Sequence, residues 1–236
     1  MTVGQDVFSR LPPLPLDKIE PMIRDGDVLL CSATDPGSRL IAWSTRSPWS
    51  HVALAYDWET VGRVMAFESV HTLGVRAVVI KTFITRTSSG VTPYPGKIVL
   101  ARHSEFDQKV AADPDAKRRF ADFAVDRFGD PFASKEILKI AARVALGRRR
   151  KPLPPMLAPD DEFICSEYVA KCFEQVGIRI PWDGKGYMAP GDIAADPKVE
   201  AIAQFAIDPN PAPKPGHKPG EAEGADKKQG RDARRS

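Results

Sequence analysis

Five short apolar runs in the first half of the chain constrain the fold more than any other sequence feature. Each run is rich in β-branched or aromatic residues and is bounded by Gly, Asp, Thr or Pro, which is typical of β-strands. We therefore predict a sheet built mainly from the first hundred residues. The predicted strands are Asp27–Cys31, His51–Tyr56, Arg63–Val70, Val75–Lys81 and Lys97–Arg102.

The second half of the chain has helical periodicity instead. Asp113 is a favourable N-cap and Pro114 suits the first helical position, so a long helix is predicted from there to about Gly129. Apolar residues at helical spacing would form its buried face. These residues are Phe120, Phe123 and Ala124.

Other helices are predicted on both sides of this one. A short helix should cover Arg39–Trp43, and a second long helix should run over Ala133–Leu146. A third should begin about Ile164 and end at Gly177, a favourable C-cap residue. Strands followed by helices indicate an α+β fold, with an antiparallel sheet or small barrel packed against helices.

The length of 236 residues fits one domain. We assign this domain to residues 22–207, with a helical insertion over about 113–159. The proline-rich segment 1–21 is predicted to be extended on the surface. The tail 208–236 has alanines as its only apolar side chains, so we expect it to be disordered.

Composition excludes several classes of protein. The net charge of +3 falls mostly in the tail, which has seven basic and five acidic residues, so no nucleic-acid partner is predicted. There is no apolar run long enough for a membrane span and no secretory signal, and we therefore expect a cytoplasmic protein. The chain has three cysteines, and this small, odd number argues against a disulfide framework.

The hairpin between the second and third predicted strands places a histidine beside a carboxylate. If Tyr56 lies opposite Arg63, then His51 lies opposite Glu68, with their β-carbons about 5 Å apart. A slip of two residues would preserve this face, whereas a slip of one would not. A carboxylate on the inner side of an apolar strand is costly unless it is paired, so we expect Glu68 to orient His51.

The next candidate residue is Cys165, which lies at the start of the third predicted helix. The buried stripe of this helix contains Val169, Cys172 and Val176, and Cys165 extends it back to the N-terminus, where free amides and the helix dipole stabilise a thiolate. A cysteine there, aimed at a His–Glu pair, is the arrangement of a cysteine nucleophile, and its backbone N–H is a natural oxyanion donor. The acidic residues 160–162 just upstream oppose the thiolate.

Simpler interpretations compete with this one. A cysteine near a helix start is more often a core residue, and we assign Cys31 and Cys172 to the core. We interpret His71, His103 and His217 as loop or tail residues without partners. A zinc site from His51, Glu68 and Cys165 lacks the closely spaced ligand pairs of known zinc motifs, so no metal site and no cofactor site is predicted.

Several segments together resemble the circularly permuted branch of the NlpC-type cysteine peptidases, and within it the YiiX-like group. In these proteins the histidine precedes the cysteine, as it does here. The resemblance implies a papain-like α+β fold, a Cys165–His51–Glu68 triad and cleavage of an amide or ester through an acyl-enzyme. The segments are Arg24–Leu30, Trp49–Tyr56, Phe67–Ser69, Cys165–Val169 and Ala189–Ile193.

Three functions follow as hypotheses. The first is a cysteine amidase acting on a small peptide or amino-acid amide, including a cell-wall peptide. The second is a lipid-directed acyltransferase or thioesterase similar to the lecithin:retinol acyltransferase-like proteins, because the apolar helix over Ile137–Leu146 and the basic stretch Arg148–Lys151 would suit peripheral membrane contact. The third is a binding module that has lost catalysis. The substrate and the oligomeric state are left open.

Overall fold

The computed structural model describes residues 3–4, 6–71, 73–85, 93–131, 164–182 and 188–209. Seven strands form one open sheet in the order β1-β7-β6-β2-β3-β4-β5, so β1 and β5 are its edges. All neighbours are antiparallel except β1 and β7, which are parallel. The strands are β1 Pro13–Leu14, β2 Asp27–Ala33, β3 His51–Trp58, β4 Arg63–Val70, β5 Gly74–Val79, β6 Gly96–His103 and β7 Val199–Phe205.

Helices cover both faces of the sheet. α7 packs against β3 and β4, and α6 packs against α7. Short 3-10 turns occupy Glu20–Met22 and Glu59–Val61. The described helices are α1 Val7–Arg10, α2 Leu16–Ile19, α3 Pro36–Thr45, α4 Ile80–Thr85, α5 Phe106–Ala112, α6 Ala116–Asp126, α7 Cys165–Glu174 and α8 Pro190–Ala195.

β2 lies at the centre of the sheet and is apolar along nearly its whole length, because both of its faces are covered. Val28 and Leu30 face a core shared with α6 and α7. Leu29 and Cys31 face a second core shared with α2 and α4. A strand buried on both faces reads as a continuous apolar run rather than an alternating one, which explains its DVLLC sequence.

The α+β class is confirmed, and the alternative of a small closed barrel is wrong, since the sheet is open. All five predicted strands are present, but Ile80 begins a helix rather than continuing β5. The sequence analysis missed β7, whose small residues Ala201 and Ala203 gave a weak strand signal. β7 pairs with both β6 and β1.

The N-terminal segment is not extended, contrary to the prediction. It forms α1 and α2, and Val7 and Ile19 are fully buried. The indole N–H of Trp49 donates to the carbonyl of Val3 at 2.7 Å. Apart from the short edge strand β1, the segment therefore contacts the core through its helices.

The predicted helix at Asp113 also differs in its start. α6 begins at Ala116 after Asp115, because Asp113 instead ends α5. Phe120 and Ala124 are fully buried, and Phe123 is partly buried, as predicted.

The third predicted helix is α7, which ends at Glu174 and not at Gly177. Gly177 takes a φ of +74° just beyond it, and the amide of Ile178 donates to the carbonyl of Phe173 at 3.0 Å. This is the helix-terminating geometry that favours glycine.

Other predicted features lie outside the described residues. These are the helix over Ala133–Leu146, the basic stretch Arg148–Lys151, the acidic residues 160–162, His217 and nearly all of the tail 208–236. Among the helices that are described, none has the length and apolarity needed to cross a membrane.

Candidate active site

The hairpin places His51 and Glu68 together, although in a different register from the one predicted. Trp58, rather than Tyr56, lies opposite Arg63, so the strands are shifted by two residues. A shift of two keeps every side chain on its expected face. Nε2 of His51 and Oε2 of Glu68 are 2.8 Å apart, which is a direct hydrogen bond along a diagonal of the sheet.

β3 and β4 separate at the end of the hairpin that carries this pair. Their pairing runs from Trp58 and Arg63 to Leu54 and Phe67. Beyond that point β3 pairs with β2 as far as His51, and β4 pairs with β5 as far as Val70. The sheet is therefore split beside His51 and Glu68.

α7 packs on the face of the sheet opposite to the one that carries His51 and Glu68. Its core residues pack with Val52, Leu54 and Phe67, whereas strand alternation puts His51 and Glu68 on the face of Ala53 and Ala66. The split lets the first residue of α7 approach the imidazole, because the two strands are not joined there.

Cys165 is that first residue. It follows the N-cap Ile164, so its N–H lies in the first turn of the helix, where amides have no acceptor within the helix. Its exposed fraction is 9 %, so the residue is nearly buried. The neighbouring Ser166 is fully buried, and its hydroxyl donates to the carbonyl of Met188 at 2.6 Å, which ties the start of α7 to the segment before α8.

Electrostatic interactions couple the three residues. Burial by itself would lower the pKa of His51, but the charge of Cys165 and its hydrogen bond, followed by the hydrogen bond and charge of Glu68, raise this pKa to about 10. Since Nε2 is bonded to Glu68, Nδ1 is the ring nitrogen available to the thiol. Interactions with Cys165 and Glu68 therefore favour the protonated imidazole of His51.

Glu68 remains ionised although its side chain is only 5 % exposed. Burial would raise the pKa of this carboxyl, but the hydrogen bond and charge of His51, and then the charge and hydrogen bonds of Arg76, lower it. Nη2 and Nε of Arg76 lie 2.7 and 3.0 Å from Oε1. A buried carboxylate with cations on both oxygens is a paired charge rather than an orphan.

Sequence analysis missed two residues of this site. Arg76 lies directly opposite Glu68 across β4 and β5, and this opposition was available from the strand pattern once Glu68 was judged to need a partner. Phe83 of α4 stacks on His51 with ring centroids 6.3 Å apart. Phe83 lies beyond the predicted strand Val75–Lys81, in a segment to which no element was assigned, so this contact carried no earlier signal.

The other cysteines and histidines are mostly where they were predicted. Cys31 and Cys172 are fully buried, and His71 is exposed in the turn after β4. The prediction for His103 is wrong, because it ends β6 in the core with Nε2 at 3.6 Å from Oδ2 of the buried Asp196. Burial lowers the pKa of His103 despite this carboxylate.

The polar groups of His51, Glu68 and Arg76 are committed to one another. Within the described residues, no group of three or more His, Cys, Asp or Glu side chains could hold a metal ion. Both oxygens of Glu68 and Nε2 of His51 are already engaged in hydrogen bonds, and Arg76 brings a positive charge to the same carboxylate. Binding a cation there would require this network to break.

Comparison with solved structures shows a similarity at the level of the fold. The crystal structure of the metalloprotein YiiX from Escherichia coli O157:H7 matches with a TM-score of 0.51 over 76 % of this chain and 96 % of YiiX, at 18 % sequence identity. The predicted resemblance to the YiiX-like group is thus supported at the level of the fold. No protein-family model matches the chain, and neither does any curated protein.

Proposed function

We propose that the protein is a cysteine hydrolase that cleaves an amide through an acyl-enzyme on Cys165. The observation that carries the proposal is the hydrogen bond of 2.8 Å between Nε2 of His51 and Oε2 of Glu68, together with the interactions of His51 with Cys165 and Glu68 that raise the pKa of His51 to about 10. A thiolate beside an imidazolium whose second nitrogen is fixed by a carboxylate has the components of a cysteine nucleophile.

The chemistry balances with these groups alone. The thiolate of Cys165 attacks the carbonyl carbon, and the N–H of Cys165 donates to the oxyanion that forms. The imidazolium of His51 gives its proton to the departing nitrogen, so the C–N bond breaks and leaves a thioester and a free amine. Neutral His51 then takes a proton from water, which attacks the thioester, releases the acid and restores the thiolate.

An amide is favoured over an ester or thioester because an amine is a poor leaving group unless it is protonated. An imidazolium with a pKa raised to about 10 is present at neutral pH and available as that acid. The lipid-directed alternative rests on residues 137–151, which lie outside the described residues, so nothing in the described site favours it. A peptide or amino-acid amide remains the proposed substrate class.

We further propose that the fold is the circularly permuted papain-like one. The similarity to YiiX and the order of His51 before Cys165 support this assignment. A nucleophile at a helix N-terminus beside a strand histidine also agrees with it. The experiment below does not depend on it.

Trapping of the acyl-enzyme tests the function. The full-length protein is mixed with the activated ester p-nitrophenyl acetate, quenched in acid and examined by peptide mass spectrometry. We expect one acetyl group on Cys165, formed in the native protein and absent from Cys165→Ala. His51→Ala should slow its formation by at least about 100-fold, the lower range for loss of a general acid–base group.

Cys172→Ala is the matched control, since it removes a thiol from the same helix. It should acetylate Cys165 at the rate of the unmodified sequence, provided that its circular dichroism shows a folded protein. Acetylation spread over Cys31, Cys165 and Cys172, or seen only after denaturation, would show that Cys165 is structural and would favour the binding-module hypothesis.

A further inference from the structure

A pocket of about 640 Å³ lies between the end of α3 and α8. One wall is the segment 44–49, which ends α3 and leads into β3; the other is the segment 189–195, which contains α8. Trp49 is two residues before His51, and Ala189 follows Met188, whose carbonyl accepts the hydroxyl beside Cys165. Both walls therefore continue into the elements that hold the imidazole and the thiol.

The walls of the pocket are fixed to each other. A β-carbon on Gly191 would lie 2.5 Å from the hydroxyl oxygen of Ser47, so the two segments approach as closely as only glycine allows. Val3, which also lines the pocket, accepts the indole N–H of Trp49 and donates its own amide to the carbonyl of Ala194 at 2.9 Å. Contacts within the protein thus hold the walls of the pocket in place.

Arg46 lines this pocket in a strained backbone conformation. Its φ and ψ are 53° and 37°, in the left-handed region, directly after the last residue of α3. It is the one non-glycine residue with a positive φ in the described part of the chain. Helices that end in this way normally have Gly or Asn there, and strain of this kind persists where the side chain has a separate role.

The guanidinium of Arg46 is also uncommitted. It makes no hydrogen bond or ion pair with any residue that the structure describes. Asp192, in the same pocket, is already engaged, because its Oδ2 accepts the amide of Ala189 at 2.7 Å. The positive charge of Arg46 is therefore the group in this pocket that is available to a ligand.

The chemistry of these groups selects a carboxylate. A guanidinium matches a carboxylate in planar, two-point geometry, and the polar residues Ser44, Thr45 and Ser47 also line the pocket. The opposite charge of Asp192 disfavours a dianion such as phosphate more than a monoanion. A pocket of this size has room for a small acidic group and its neighbouring atoms.

We propose that this pocket binds a carboxylate of the substrate through Arg46 and so selects acidic amides. The assignment of the ligand as substrate rests on the proposed function of Cys165, but binding of a carboxylate does not. Arg46 is then a specificity-determining residue, and its strained backbone is retained for the contact.

Binding can be measured without turnover in the full-length Cys165→Ala protein by NMR. The probes are N-acetylglycine, which has a carboxylate, and N-acetylglycinamide, in which a neutral amide replaces it. We expect saturable shifts of the Ser47 and Gly191 amides with N-acetylglycine and at least tenfold weaker binding of the amide, the loss typical of a charged hydrogen bond. Arg46→Gln should lose this preference, and Arg46→Lys should keep part of it.

Two controls separate recognition from folding. Arg39→Gln removes another arginine of α3 that does not line the pocket, and it should bind N-acetylglycine as the parent does. Arg46→Gly should lose binding yet raise the thermal midpoint by about 2–4 °C, because glycine relieves the backbone strain. An arginine with only a structural role would not combine a loss of binding with a rise in the thermal midpoint.

The proposal is overturned if the two probes bind equally, if neither gives a saturable shift, or if Arg46→Gln binds like its parent. Failure of the proposed function would look different, since it would be a lack of acetylation at Cys165 in the unmodified sequence. If the pocket binds carboxylates but Cys165 is inert, the pocket is retained as a ligand site and the proposed enzymatic function is rejected.

Discussion

Arg76 lies directly opposite Glu68 across β4 and β5, and its guanidinium holds the carboxylate oxygen that His51 does not. Two donors on one oxygen and an imidazole on the other leave the carboxylate a single orientation. Arg76 therefore acts on the proposed nucleophile through Glu68 and His51, as a positioning residue. Its side chain is 38 % exposed, so part of its charge is screened by solvent.

Arg76→Gln should make the protein more sensitive to acid. Arg76 helps to lower the pKa of Glu68, and a carboxyl with a lowered pKa contributes stability above its unfolded value that is lost as the pH falls. Without Arg76 this loss should begin at higher pH, and the free energy of unfolding at pH 7 should fall by about 1 kcal/mol, a charged hydrogen bond discounted for exposure. Urea unfolding between pH 3 and 7 measures both effects.

Arg63→Gln is the matched control for this measurement. Arg63 is an exposed arginine on the neighbouring strand β4 and donates to a backbone carbonyl rather than to Glu68. An equal acid shift in both variants would show that net charge, and not the contact with Glu68, is responsible.

Glu68→Gln should lower the pKa of His51. The hydrogen bond and charge of Glu68 contribute to raising that pKa to about 10, and glutamine keeps the shape but not the charge. The imidazolium should then lose its proton at lower pH, and the alkaline limb of kcat/KM should move in the same direction. The titration of the His51 ring carbons by NMR measures this shift directly.

A pKa of His51 unchanged by Glu68→Gln would contradict the coupling. His71→Gln serves to assign the resonances, because His71 is exposed in the turn after β4. Folding at neutral pH should be checked first, since glutamine leaves the buried end of Arg76 with a weaker acceptor.

The faces of the hairpin were predictable from the sequence, but its register was not. Alternation of Val52, Leu54 and Tyr56 with small residues fixes which side chains share a face. The register depends on the turn, where a 3-10 turn over Glu59–Val61 and a left-handed Gly62 close the hairpin with fewer residues than expected. Side-chain hydrophobicity is the same for both registers, so sequence pattern could not separate them.

Long-range pairing limited the prediction elsewhere. The alternating pattern of its strand predicts that Arg76 faces solvent. Its contact with Glu68 depends on the pairing of β5, at the sheet edge, with β4. β7 joins the sheet between β1 and β6. β1 and β7 come from opposite ends of the chain, and no local sequence pattern specifies their pairing. His103 looked isolated because its partner Asp196 is distant in sequence.

The ion pair between Asp27 and Arg102 should contribute strongly to the free energy of unfolding without affecting the active site. Asp27 is fully buried and accepts Nε and Nη2 of Arg102 at 2.6 and 2.7 Å. Arg102→Ala would leave a buried charge uncompensated, which costs about 3–5 kcal/mol. Chemical denaturation should show this loss, while Arg118→Ala, which removes exposed surface pairs, should change stability by less than about 1 kcal/mol.

Acetylation of Cys165 in the Arg102→Ala protein distinguishes stability from chemistry. Its rate in the folded fraction should match that of the unmodified sequence. A slower rate in a fully folded sample would mean that this end of the sheet also influences the active site.

The two cysteines of α7 should respond in opposite ways to substitution and to alkylation. Cys165 begins the helix beside His51, whereas Cys172 is fully buried, and burial raises the pKa of its thiol despite a hydrogen bond with Tyr168. Cys165→Ala should abolish acyl-enzyme formation with little loss of stability, because the thiol lies at a helix end. Cys172→Ala should cost about 1–2 kcal/mol through a small cavity and spare the chemistry.

Iodoacetamide labelling followed by peptide mapping measures the same contrast directly. The native protein should be alkylated at Cys165 first, because a thiolate rather than a thiol attacks the reagent. Cys31 and Cys172 should react only when the protein unfolds, since both are fully buried. Their reaction should therefore follow the unfolding curve in urea, whereas that of Cys165 should precede it. Labelling of Cys165 that also tracks unfolding would contradict the nucleophile assignment, because a 9 % exposed thiol without activation is protected by burial alone.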